Sequence, residues 1–238
     1  MTSPAKIFRI HAKPVRRFGG WRVLVMLALS ATTASAQMSL YERLPAGFAF
    51  VRFASALPGD VIVKPESITE PMTLTTEGAG RISAYYGVED VVDRTFFVEL
   101  GGKARTSFAL TPGVFQTVLL ERSGGGLAAR VVIDQAELSQ NKARLAFYNA
   151  VPDCAGANLQ IEPDGQAIFL NVGPNLMRGR SVNPAPNARV IASCGSAQMV
   201  ALNLGPLDAG GQYSVWLMAP EGAPIAFISK NTIAPYLR

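Results

Sequence analysis

Histidine is almost missing from this sequence, and its scarcity excludes more than any motif present suggests. The 238 residues contain one, His11, and it lies in a basic leader that reads as removable. Without an imidazole, a Ser-His-Asp or Cys-His system has no group to take and return a proton near neutral pH. Zinc hydrolysis, which normally uses histidine ligands, is disfavoured on the same ground. A Ser-Lys dyad is not excluded by composition. Long apolar runs are missing too. From Val23 the apolar or small run reaches only Ala36, whereas a membrane-spanning helix needs about 20 residues.

That short run belongs to an export signal. Lys6, Arg9, Lys13, Arg16, Arg17 and Arg22 form a basic n-region, Val23 to Leu29 a short apolar core, and Ala34-Ser35-Ala36 a small-x-small cleavage pattern. Residues 1–36 are therefore expected to be a cleaved signal peptide, and Phe18-Gly19-Gly20 fits a twin-arginine signal poorly. No cysteine stands beside the cut to carry a lipid. Cleavage also removes the basic excess. The whole chain has 22 basic and 17 acidic residues, but six of the basic ones lie in the leader, leaving 16 against 17. No electrostatic case for nucleic-acid binding survives.

Cysteine is scarce as well. The two present, Cys154 and Cys194, make a poor zinc site without histidine. In an oxidising compartment an even pair reads as a disulfide.

What remains is rich in short β-like runs. Phe48 to Phe53, Val61 to Val63, Arg94 to Leu100, Val114 to Leu120 and Ala129 to Ile133 are separated by Gly, Pro, Asn and Asp. Arg144 to Phe147, Ala167 to Val172, Met199 to Leu204, Tyr213 to Met218 and Ile225 to Ile228 continue the series. Turn signals every 8–12 residues or so are the rhythm of sandwiches and barrels. Thr117 to Leu120 is apolar on both sides and reads as a central strand. Phe48 to Phe53 places Arg52 on the face of Phe48 and Phe50, which suggests a strand ending at a sheet edge.

One segment, Asp134 to Lys142, is polar and lacks β-branched and aromatic residues. It reads as a linker with room for a helical turn, and it separates two similar halves. Phe50-Val51-Arg52-Phe53-Ala54-Ser55-Ala56-Leu57-Pro58 matches Arg144-Leu145-Ala146-Phe147-Tyr148-Asn149-Ala150-Val151-Pro152. Leu110 to Val118 resembles Leu207 to Val215. The fold class expected is all-β, with two tandem small β-sandwich domains of Ig-like type. Their bounds are 37–133 and 143–238, joined by the linker 134–142.

Glu89, Asp90 and Asp93 offer carboxylates of the kind a glycosidase uses, but beside Val88, Val91 and Val92 they read as the solvated side of a turn. Gly124-Gly125-Gly126 lacks the G-K-[ST] ending of a phosphate loop and lies between strands, so a hairpin turn is expected, as for Gly78-Ala79-Gly80. Surface candidates for a partner are Tyr86, since one of two adjacent strand tyrosines points outward, and Arg178 with Arg180. The two arginines sit in a Pro- and Asn-rich stretch and suit an acidic polysaccharide or protein face. No cofactor is implied.

Leu40-Tyr41-Glu42-Arg43-Leu44-Pro45-Ala46-Gly47-Phe48-Ala49-Phe50-Val51-Arg52-Phe53 resembles the opening of the alginate O-acetylation protein AlgF family. There an L-Y, then Pro and Gly, lead into a strand of the form A-F-V-R-V and an Asn-Ala turn. Ala54-Ser55-Ala56 departs from the Asn, while Phe147-Tyr148-Asn149-Ala150 is nearer to it. The strong local match spans about 15 residues, and the resemblance does not account for Cys154 and Cys194. It implies a periplasmic, non-catalytic accessory protein. Such a protein works beside a membrane O-acyltransferase and periplasmic acetyltransferases that esterify an exopolysaccharide, alginate or a related polymer. No catalytic residue is carried over, because the family supplies none. A periplasmic chaperone-like or structural β-module, and a carboxylate-based glycan hydrolase, are the alternatives.

Overall fold

In this computed structural model, residues 47–68, 70–102, 104–135, 139–195 and 198–235 are described. The proposed signal peptide, residues 37–46 and the centre of the linker, where a helical turn was expected, lie outside them. The described chain is all-β, with no helix long and apolar enough to cross a membrane.

Sixteen strands fall into two sandwiches. The first holds β1 (Ala49–Ser55), β2 (Val61–Pro65), β3 (Met72–Leu74), β4 (Tyr86–Val88), β5 (Thr95–Leu100), β6 (Ala104–Ala109), β7 (Phe115–Ser123) and β8 (Gly126–Asp134). The second holds β9 (Ala143–Ala150), β10 (Ala157–Ile161), β11 (Ala167–Val172), β12 (Leu176–Val182), β13 (Arg189–Cys194), β14 (Gln198–Asn203), β15 (Gln212–Met218) and β16 (Ile225–Lys230). The strand orders are β4-β1-β7-β8 over β3-β2-β5-β6, and β12-β9-β15-β16 over β11-β10-β13-β14. Adding eight to each label of the first sandwich gives the second.

The repeat holds at the level of single residues. β1 runs parallel to β7 with Phe53 opposite Val118, and β9 runs parallel to β15 with Phe147 opposite Val215. These are the pairs that the two sequence matches align. β4 pairs with β1 through Tyr86 opposite Val51, and β12 pairs with β9 through Arg180 opposite Leu145. Even the strand entries agree, since Gly113 N–H donates to Phe48 O and Gly210 N–H to Lys142 O.

Strand alternation explains three cores. Along β1, Ala49, Val51 and Phe53 face the first sandwich, where they pack with Phe96, Val98, Phe108, Val118 and Leu120. Along β9 and β15, Leu145, Phe147, Tyr213, Val215 and Leu217 fill the second. The intervening residues of the same strands point the other way, and they are apolar too. Ala54, Leu119, Val132, Ala146, Tyr148, Trp216, Met218 and Phe227 form a third core between the sandwiches. Two-sided burial of this kind is why β9 is buried at all eight positions and why the two sandwiches make one compact unit. The outer sheets alternate instead, as strands with one wet face do; β5 is the plain case, with Phe96, Val98 and Leu100 buried between more open neighbours.

Several local expectations change here. β1 is not a sheet edge but an inner strand between β4 and β7, and Arg52 is buried because it faces the other sandwich. Asp134, assigned to the linker, is the last residue of β8 and is buried. Gly124 and Gly125 form a two-residue hairpin loop at φ 58° and 81°, the left-handed values a type I′ turn requires. Gly78 to Arg81 is a 3-10 turn rather than a hairpin. Beyond β16, the chain returns to the first sandwich. Thr232 accepts from Tyr85 N–H at 2.8 Å, and Ala234 N–H donates to Tyr85 O at 2.7 Å.

Candidate functional site

The densest polar arrangement lies in the third core and is centred on Arg52, which is 1% exposed. Its Nε donates to Thr117 Oγ1 at 2.9 Å and its Nη1 to Asn231 Oδ1 at 2.8 Å. Its Nη2 donates to Tyr148 Oη at 2.8 Å and Ser214 Oγ at 3.1 Å. The guanidinium lies 4.6 Å from the Tyr85 ring centroid and 5.2 Å from those of Tyr148 and Trp216. Tyr148 and Trp216 themselves stack at 4.0 Å.

Asp134 supplies the countercharge, 3.9 Å from Arg52 Nε. It accepts from Tyr85 Oη at 2.6 Å, Thr117 Oγ1 at 2.7 Å and Tyr148 Oη at 2.7 Å. Each chemistry-bearing group is therefore held by another member of the network, and the members come from both sandwiches. Such closure is what allows a charge pair to sit in a dry interface. The arrangement locks the two halves together.

Burial opposes the charge on Arg52, but Tyr148, Tyr85 and Asp134 outweigh it and hold its pKa above the ordinary value. Burial first, and then the negative charge of Asp134, pushes the Tyr148 phenol well up, with Arg52 only partly offsetting them. Tyr85 is raised by burial first, then by Tyr148 and Asp134, again against Arg52. A tyrosine whose folded pKa exceeds its unfolded value near 10 stabilises fully below pH 10 and loses that contribution as pH rises further. Two such groups are expected to steepen the loss of stability above pH 10, by about 1.4 kcal/mol per pH unit each. Urea midpoints across pH 9–11 and tyrosinate absorbance test this. Tyr85→Phe with Tyr148→Phe should flatten the curve, and an unchanged slope in that variant would remove the assignment.

The residues singled out from sequence are distributed elsewhere. Cys154 and Cys194 are joined, with Cα atoms 5.5 Å apart, tying the loop after β9 to the end of β13. Asn149 fixes that loop by donating from Nδ2 to the carbonyls of Cys154 and Val172. Tyr86 is half-buried on edge strand β4, on the core-facing side it shares with Val51. It does not project outward, and its neighbour Tyr85 is the buried network member. Arg178 and Arg180 are exposed, but on edge strand β12 rather than on a loop. They lie opposite Phe147 and Leu145, on the core side of the sheet. Both reach across the open side of the sandwich, to Leu170 O at 3.3 Å and Ile168 O at 3.4 Å. Inward-pointing charges of this kind shield an edge strand. Register places Tyr86 and Arg180 at the same position in the two repeats.

Glu89, Asp90 and Asp93 are exposed in a turn, with Asp90 and Asp93 at φ 54° and 52°. One S-x-x-K spacing occurs in the described chain, Ser139 to Lys142. Ser139 is irregular and Gln140 to Lys142 form a bend, not the helical turn that brings residues three apart onto one face.

Sequence reasoning missed the Arg52 network altogether. The signal available was the pattern of β9 and β15, where Tyr148, Ser214 and Trp216 interrupt the expected solvent face with groups that are large or paired.

The fold class is thus a tandem pair of docked β-sandwiches closed by a buried ion pair. No family model matches the chain, and no curated protein matches it. Among solved structures, it is similar to a proposed cell adhesion protein from Bacteroides fragilis NCTC 9343. That comparison covers 75% of this chain and 86% of the other at 10% identity, with a TM-score of 0.24. A likeness this slight carries no argument about function.

Proposed function

We propose that this chain is a periplasmic, non-catalytic accessory protein for O-acetylation of an exopolysaccharide, alginate or a related polymer. In this reading it acts beside a membrane O-acyltransferase and periplasmic acetyltransferases, holding components together rather than transferring acetyl groups. The observation that carries the proposal is the match over Leu40 to Phe53. The portion from Gly47 onward enters β1, and its echo at Phe147 to Ala150 belongs to the equivalent strand β9.

Two features support the reading. A disulfide between Cys154 and Cys194 suits an oxidising compartment. A body of two sandwiches, locked by a closed polar network, offers partners a fixed spacing between two surfaces.

The test is the O-acetyl content of the exopolysaccharide with and without the gene, measured at matched polymer yield. Loss of acetyl groups at normal yield, restored by the intact gene, is the expected result. Unchanged acetylation would overturn the proposal and leave a structural β-module.

A further inference from the structure

The row of unpaired N–H and C=O groups along an edge strand is a template for another chain. Among the described residues, eight strands are sheet edges: β3, β4, β6, β8, β11, β12, β14 and β16. Seven of them carry a feature that discourages pairing. β3 and β4 are three residues long. β6, β8, β12 and β16 carry charges, at Arg105, at Arg130, at Arg178 with Arg180, and at Lys230. β11 is irregular, its register against β10 shifting twice. β14 has none of these. Its six residues, Gln198–Asn203, run in unbroken register with β13, and no charged residue stands between Cys194 and Asp208. No described strand pairs with its outer side. Met199 on it is 67% exposed, the most of any large apolar side chain described.

The repeat provides an internal comparison. The shift that relates Phe53 to Phe147 also carries the ladder of β5 with β6 onto that of β13 with β14. Thr95 opposite Ala109 becomes Arg189 opposite Asn203, and Glu99 opposite Arg105 becomes Ser193 opposite Met199. In the first half that position holds an arginine stacked 4.0 Å over the Phe97 ring. In the second half the charge is gone, and so is the carboxylate facing it. The same edge is thus guarded in one sandwich and bare in the other.

We infer that β14 pairs with β14 of a second copy of this chain, antiparallel and about a two-fold axis at Ala201. Val200 lies opposite Ala192 of the core, and Leu202 packs on that core, so both are on the inner side of the sheet. An axis at Ala201 sets Val200 against Leu202 of the second copy, whereas an axis at Val200 would set Leu202 against the polar Gln198. It also keeps both sandwiches on one side of the joined sheet, with Met199 and Asn203 meeting on the other. Charge is what selects a second copy as the occupant. A two-fold contact duplicates every group within it, and an edge without charge can be duplicated without setting like charges opposite each other. The same edge offers a charged partner nothing to recognise. A six-residue ladder is a small contact, below the roughly 1,200 Å² of a stable complex, so the association is weak and reversible. Pairing consumes the edge, so assembly stops at two.

The experiment is analytical ultracentrifugation of the exported chain, residues 37–238, from micromolar to millimolar concentration. A reversible monomer–dimer equilibrium is expected. Ala201 is exposed, so Ala201→Glu and Ala201→Lys leave the core alone while each sets like charges face to face at the axis. Each variant should dimerise about fivefold or more weakly than the parent. An equimolar mixture of the two, which sets opposite charges there, should recover parent-like association. That recovery separates lost pairing from lost folding, since a misfolded variant is not rescued by its partner. Amide exchange at 199–203 should slow as concentration rises, with no such change at 105–109. A monomer throughout the range, parent-like dimerisation in either single variant, growth beyond the dimer, or a mixture no better than its parts would each overturn the inference.

Discussion

Asp134→Ala is expected to lower the unfolding free energy by about 3–5 kcal/mol, the cost of removing one partner from a buried ion pair. The carboxylate accepts from Tyr85, Thr117 and Tyr148 and faces Arg52. Its loss leaves three hydroxyls without that acceptor and a guanidinium, 1% exposed, without its countercharge. The damage falls on the contact between the sandwiches, so the two halves should begin to unfold at different urea concentrations. A cycle with Arg52→Met identifies the source. If the ion pair is the lock, Asp134→Asn in the Arg52→Met background should cost less than in the parent, by about 1 kcal/mol or more. Additive costs, or a loss under about 1 kcal/mol for Asp134→Ala, would show that the apolar members of the third core hold the halves alone.

Removing the disulfide is expected to have a comparable effect in a different place. The bond spans 40 residues, and closing a loop of that length stabilises by about 4 kcal/mol in the chain-entropy model. The loop contains β10, β11, β12 and most of β13. Cys154→Ser with Cys194→Ser should therefore destabilise the second sandwich. The first, whose core contains no cysteine, should keep its own transition. Hydrogen exchange read separately on β5 and on β13 distinguishes the cases. Equal loss of protection in both halves would mean that unfolding is global and that docking is stronger than either sandwich.

Much of this architecture was legible beforehand for a physical reason. A strand with one wet face writes its period into the sequence, and a duplicated chain writes it twice; Phe53 with Phe147, and Val118 with Val215, were alignable because each faces a sandwich core. The short or polar strands were not legible. β3 has three residues, and β12, with Arg178, Gly179 and Arg180, lacks an apolar run. The buried charges were illegible for a further reason. Arg52, on one face with Phe48 and Phe50, reads as the end of an edge strand because nothing local indicates that its face meets another domain. Asp134 reads as linker because the hydroxyls that hold its carboxylate, on Tyr85, Thr117 and Tyr148, lie far from it in sequence.

The seam between the sandwiches joins like to like. Each half contributes the same sheet, and register puts Ala146 where the other half has Arg52, Ala54 where the other has Tyr148, and Ser214 where the other has Thr117. Two identical copies meeting through this face would form a self-complementary, isologous contact, and every charged group would enter it twice. Two guanidiniums would then share one dry interface. Because a peptide links the copies, one could keep the arginine while the other holds alanine, and the repulsion never arises. The chain is thus built like a symmetric dimer that has given up its symmetry, and its two outer ends are free to differ in what they bind.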